Sequence, residues 1–291
     1  MHQYLKAIGF DGIRTRKQLK EILKEVETVF THQTIVSYNE EADYCEFQKE
    51  YAKNAGIFLC GELDERENFE ADYYFPYFTG EGVTSDAEIT VERKIENESY
   101  IGVCEDEKVG ISLIFYLQNG IDYMKECQLG FVMQKGMTVT FSGLANSGKI
   151  LFPVMKNEVT EATRAAEQKT RKQLLSAARN GDQAAIETLT LDDIDIYSKV
   201  SRRLISEDVF SIVDTYIMPY GVECDQYSIL GEILEVHKAI NRLTGVELYQ
   251  LKVDVNELIF DVCVPVKEVL GEPDIGRRFK ATIWLQGYLN F

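Results

Sequence analysis

The sequence has only three histidines, His2, His32 and His237, and one tryptophan. A metal centre built from several imidazoles is therefore excluded. Its six cysteines are Cys45, Cys60, Cys104, Cys127, Cys224 and Cys263; none forms C-x-x-C, and the closest two, Cys45 and Cys60, stand 15 positions apart. Zinc-site spacing is thus absent. Cysteines in runs such as "IFLCG" and "FDVCV" read as small buried hydrophobes. Five prolines in 291 residues argue against long disordered tails. Cations are scarce too: 31 Lys and Arg stand against 48 Asp and Glu, a net charge of −17. A nucleic-acid binder needs cations to displace phosphate counterions, so nucleic acid and anionic membrane are not expected partners. The longest apolar run, "ISLIFYL", is far short of the ~20 residues of a membrane helix. The opening "MHQYLKAIGF" has no long apolar signal region. A reduced, cytoplasmic, soluble protein is the expectation. G-x-S-x-G, S-x-x-K, H-E-x-x-H, the EF-hand loop and G-x-G-x-x-G are all missing, and no cofactor is expected.

What is present is an ordinary globular composition, 45% hydrophobic and 27% charged, long enough for two domains. The acid is concentrated: from Glu40 to Glu107 there are 20 Asp or Glu and 5 Lys or Arg, a net of 5 − 20 = −15. Such a stretch reads as a solvated face or as a docking surface for a basic partner.

Residues 15 to 29 put Leu19, Ile22, Leu23 and Val26 at i, i+3, i+4, i+7, an amphipathic helix with Thr15 as N-cap. From about Gln33 the period becomes two. Runs such as "TIVSYN", "GIFLCGELDE", "SYIGVCEDE" and "MTVTFSG" read as short strands in an antiparallel meander. From Asn157 to Gly181 the composition is that of a long helix. Asp182 is the expected cap of a second helix, running to Leu189, and Thr190 the cap of a third. After Ser206, "FSIVDTYIM", "YSILGEILEVH", "VELYQLKVD", "LIFDVCV" and "FKATIWLQGYLNF" read as five strands, with a short helix "VKEVLG" before the last. The expected fold class is α+β: an antiparallel β-rich N-terminal domain over 1–156, a helical connecting segment over 157–205 and a small barrel-like β domain over 206–291. An OB-type barrel is one option.

The stretches "SRRLISEDVFSIVDTYIMPYGVECDQYSILGEI", "GRRFKATIWLQGYLNF", "YLKAIGF" and "GISLIFYLQN" resemble a family of unknown function from clostridia and related Firmicutes. The resemblance spans the chain. It implies a cytoplasmic bacterial protein and no site residues.

The stretch "FSGLANSGKILFPV" contains G-x-x-x-x-G-K, most of a phosphate loop. Gly143, Gly148 and Lys149 fit, but Ile150 lacks the hydroxyl that holds Mg²⁺. Pro153 would break the helix that must follow. A hairpin turning at Asn146, Ser147 and Gly148 is expected instead of nucleotide binding. The unit 221–237 gathers Asp225, Glu232, Glu235 and His237, with Cys224 as a nucleophile only if His237 serves as its base. Alternation from Tyr227 puts Glu235 and His237 on one face with Ile233, and Glu232 on the other unless a bulge intervenes. Asp225, Glu235 and His237 are the candidates for a metal-dependent hydrolase or transferase. Asp192, Asp193 and Asp195 read as a helix start. The aromatics Tyr73, Tyr74, Phe75, Tyr77 and Phe78 read as packing, in the core or at an interface. The pairs Arg202–Arg203 and Arg277–Arg278 are Arg forks, with Arg277 and Arg278 the candidates for an anionic ligand. No metal site is assigned. The favoured reading is a non-catalytic module that binds a protein partner, a second copy of itself or a small ligand.

Overall fold

The computed structural model describes residues 2–37, 42–66, 68–94, 99–130, 136–154, 173–174, 177–178, 181–191, 210 and 213–291. The fold is β-rich α+β. A 3-10 turn over Gln3–Ile8 precedes α1, Arg16–Thr28. Thr15 caps α1 as expected: its hydroxyl accepts the Gln18 N–H, and the Gln18 side chain bonds back to the Thr15 N–H. This reciprocal box satisfies two orphan donors of the first turn. Val26 is wholly buried, and Leu19, Ile22 and Leu23 pack beside it.

The next four strands form one antiparallel meander in sequence order: β1 His32–Ser37, β2 Ala42–Ala52, β3 Ala55–Asp64 and β4 Phe69–Phe78. Pro76 lies in β4, an edge strand, where a missing N–H is tolerated. The aromatic run of β4 is core: Phe75, Tyr77 and Phe78 are buried, with Phe75 stacked on Phe58 of β3.

A second meander follows, β5 Ile89–Arg93, β6 Tyr100–Cys104 and β7 Leu113–Leu117. An additional helix that periodicity does not announce, α2 Gly120–Gln128, leads to β8, Thr138–Leu151. Residues 183–191 are helical, and both the Ala184 and Ala185 N–H groups donate to Asp182 Oδ1, the expected cap. Residues 157–172, Asp192, Asp193, Asp195 and the pair Arg202–Arg203 lie outside the described residues. The chain then forms β9 Tyr216–Pro219, β10 Gln226–Ile240, β11 Glu247–Val255, β12 Leu258–Pro265, a 3-10 turn at Val266–Glu268, the short β13 Val269–Leu270, and β14 Arg278–Asn290.

Five of these strands close a barrel in the ring order β8–β12–β11–β10–β14–β8. Every pairing is antiparallel except β12 with β8. The closure differs from the sequence expectation in one stave. Only the end of the run "FSIVDTYIM" lies in β9, which among the described residues pairs with β10 alone; β8 supplies the fifth stave. With β8 counted last, the ring has the Greek-key order of an OB-type barrel, and the 3-10 turn stands between its third and fourth strands. Phe141, Ile229, Leu251, Val253, Phe260, Phe279 and Ile283 fill the barrel. Leu144, Leu248, Cys263 and Trp284 point outward and pack against the four-stranded sheet and the first 3-10 turn. Much of the barrel's outer face is therefore buried where the sheet covers it, with apolar side chains and a few hydrogen-bonded amides such as Gln286.

This double burial corrects the hairpin expected at 141–154. Residues Thr138–Leu151 form one strand of 14 residues, and at Asn146–Ser147 its register against β14 slips by one residue instead of the chain reversing. A Cβ on Gly148 would lie 2.3 Å from the Phe279 ring, and one on Gly143 3.0 Å from Ile283. The two glycines thus make room for barrel side chains on β14 rather than turning the chain. Lys149 is exposed on the strand, and no helix starts there.

Candidate functional site

A cleft lies in the seam between the four-stranded sheet and the barrel, lined by Lys53, Glu81, Glu235, His237, Lys252 and Asp261 among others. Its barrel wall is created by a bulge. The register of β10 against β11 slips between Ile233 and Glu235, where Leu234 is the extra residue. Ile233 is buried inside the barrel. Strict alternation would send Glu235 and His237 inward with it. The bulge reverses their direction, so both are exposed while Val236 packs inside. Glu232, before the bulge, points outward by alternation with Ile233, so the bulge puts Glu235 and His237 on the same side as Glu232.

Cross-strand register then builds a ladder of charge. Glu235 lies opposite Lys252, and Lys252 lies opposite Asp261. His237 Nε2 is 3.0 Å from Glu235 Oε2, and Lys252 Nζ is 3.3 Å from Glu235 Oε1. The His237 hydrogen bond, then Lys252, hold the Glu235 carboxyl below its usual range. Burial works against the charged form of Lys252, but Asp261 and Glu235 outweigh it and raise its pKa. Asp261 is 8% exposed. Burial raises its carboxyl above the usual range, opposed by the Glu81 N–H that donates to Oδ2 at 2.8 Å and by Lys252. Its second oxygen, Oδ1, has no hydrogen-bond partner among the described residues.

The opposite wall comes from the sheet. Glu81 accepts from Asn54 Nδ2 at 3.2 Å and pairs with Lys53 Nζ at 3.4 Å. Asn54 turns the β2–β3 hairpin with φ of 56°, a backbone angle that asparagine tolerates. Gly80 lets this loop approach β8, since a Cβ there would stand 2.6 Å from the Phe141 carbonyl oxygen. The free space in the cleft is about 20 Å³, room for one water-sized group.

Asp225 does not join this site. It sits ten positions before Glu235, roughly 30 Å along the strand at about 3.3 Å per residue. It is buried, and its Oδ2 accepts the Trp284 Nε1–H at 2.8 Å. Cys224 is exposed at that same far end, out of reach of His237. No group of three His, Cys, Asp or Glu among the described residues is arranged to hold a metal ion.

Arg277 and Arg278 flank a second cavity of about 410 Å³, whose wall also includes Asp214, Glu232 and Asp274. The Arg278 guanidinium is committed to backbone. Nε donates to the Phe152 carbonyl, Nη1 to those of Val213 and Asp214, and Nη2 to that of Phe210. It ties the end of β8 to the residues that lead into β9. Arg277 donates to the Glu272 carbonyl at 2.8 Å and lies over the Phe152 ring. Both Arg side chains are thus engaged within the chain.

Sequence reading reached Glu235 and His237 but missed Lys252, Asp261, Lys53 and Glu81. Register brings these together from four separate places, and no local pattern marks them. It also missed Glu46, a carboxyl buried in β2 between the apolar neighbours Cys45 and Phe47.

The profile of a family described as "Domain of unknown function, E. rectale Gene description (DUF3881)" matches residues 5–287. No curated protein and no solved structure matches the chain. Among the described residues, no helix is long and apolar enough to cross a membrane.

Proposed function

The chain belongs to this DUF3881 family of unknown function, and from that premise we propose that it is a non-catalytic binding module of the bacterial cytoplasm that takes a cationic group into the seam cleft. The observation that carries this reading is Asp261: a buried carboxylate in the cleft wall with one oxygen anchored by the Glu81 N–H and the other unpartnered among the described residues. Glu81 and Glu235 stand on either side. The free oxygen lines the cleft, where a protonated amine or guanidinium can form a charge-assisted hydrogen bond with it. The net charge of −17 favours encounter with a cation at long range. The small free volume suits a charged terminus or one side chain rather than a whole metabolite. The source can be a small amine or a basic segment of a protein partner.

The test is a melting-temperature panel with arginine, lysine and polyamines in one arm and Arg- or Lys-rich peptides in the other. A ligand at 100 times its Kd should stabilise by about 2.7 kcal/mol. We expect a shift in one arm that is lost in Asp261→Asn. Stabilisation by the peptides alone marks a protein partner; stabilisation by free amines marks a small ligand. No shift in either arm, or a shift that survives Asp261→Asn, overturns the reading. A metal-specific shift lost in Asp225→Asn would instead point to the hydrolase or transferase alternative.

A further inference from the structure

Far from the seam cleft, the four-stranded sheet buries a carboxyl with no counterion in hydrogen-bond contact among the described residues. Glu46 lies on β2, opposite Thr34 of β1 and Cys60 of β3, and is 8% exposed. Its hydrogen-bond partner is a weak one, the Cys60 thiol, 3.7 Å from Oε2. Several of the elements packed around it present titratable groups. β2 offers Tyr44, whose hydroxyl donates to Asp72 of β4 at 3.1 Å. β4 also offers Tyr73, opposite Cys60. Tyr116 comes from β7 and Tyr288 from β14; both phenols feel the Glu46 charge. α2, which packs on β1 and β2, brings Asp122 and Lys125. Lys94 lies over the far side of the Tyr116 ring, its Nζ 5.1 Å from the centroid.

We propose that Glu46 is a proton-held latch between the four-stranded sheet and α2: the neutral acid is what the packed contact accommodates, and opening the contact frees the carboxyl to ionise. The direction of the pH effect follows from burial. Burial, reinforced by the negative charge of Asp122, pushes the Glu46 pKa up to about 8, against the weaker pull of Cys60 and Lys125. Once exposed to water the same carboxyl titrates near its ordinary value of about 4.3. A raised acid pKa means that the packed state binds a proton that the open state releases. The latch is therefore strongest below the ordinary carboxylate range, weakens as pH rises through it, and stops changing above about 8. Burial raises the pKa of Cys60, Tyr73, Tyr116 and Tyr288 above their usual alkaline values, away from that window.

Amide hydrogen exchange of the full chain between pH 5 and 8 tests this. The observable is protection in 120–128 and 32–48 relative to barrel peptides from 247–264 in the same molecule, which cancels the intrinsic pH dependence of exchange. In the wild type we expect the relative protection of α2 to fall by up to tenfold per pH unit, and in Glu46→Gln to stay flat. Parallel curves for the two proteins overturn the proposal. Should Glu46→Gln fail to fold, the carboxyl ¹³C shift of Glu46 is followed directly. A midpoint near the raised value supports the latch, and one in the ordinary carboxylate range overturns it.

Discussion

A methyl group on Gly148 would land 2.3 Å from Cε2 of Phe279, a ring with no exposure and no room to move. The second glycine of the phosphate-loop-like stretch is therefore a packing residue. Gly148→Ala should destabilise by about 1–3 kcal/mol through overpacking. Lys149→Ala, on an exposed position of the same strand, should stay within about 0.5 kcal/mol of wild type. Urea unfolding of both variants checks the pair. A phosphate loop would predict the reverse emphasis, with Lys149 the sensitive residue for ligand binding. The residue types alone could not separate these readings, because a glycine that spares a ring and a glycine that turns a loop look identical in sequence. Glu46 makes the same point. Its setting between Cys45 and Phe47 marks a strand, but only the layer above the sheet makes it a buried acid.

At the scale of the element, β10 and the Arg278 clamp carry most of the information. Thr15 as a cap, the 3.6 period of α1 and the period-two strands from Gln33 onward were all readable, since each depends on neighbours a few positions away. The bulge after Ile233 was not, because its cause is the barrel that Ile233 must fill while Glu235 stays in water. In sequence, Arg277–Arg278 is an Arg pair suited to an anionic ligand. The environment of Arg278 is instead four carbonyl oxygens from two segments that flank the excursion between β8 and β9. Arg278→Met keeps the stem but leaves those carbonyls without their donor. The expected cost is about 2–4 kcal/mol. Limited proteolysis should show faster cleavage within 152–214 while the barrel fragment persists. A variant with wild-type melting and proteolysis would remove the clamp role.

Across the whole molecule, the two layers are joined by a buried amide pair. Gln118 Nε2 donates to Gln286 Oε1 at 2.9 Å and to the Phe78 carbonyl at 2.8 Å, while Gln286 Nε2 donates to the Pro76 carbonyl at 2.9 Å. Gln118, just after β7, and Gln286 of β14 thereby hold the end of β4. Gln286→Leu would strip partners from buried groups on both layers, at about 2–3 kcal/mol. Calorimetry should then show a lower and broader transition than wild type; an unchanged profile would mean the layers are held by apolar packing alone. Composition and period by themselves determined the types of element, the acidity and the lack of an apolar run as long as a membrane helix. These are properties of local runs, and local sterics and hydrophobic alternation suffice to write them. Only the tertiary structure decided that β8 closes the barrel, that Glu235 meets Lys252 and Asp261, and that Asp225 stays with Trp284. Those outcomes depend on which strands pair and in what register, and pairing is chosen by burial over the entire chain, where a slip of one residue exchanges the inner face for the outer.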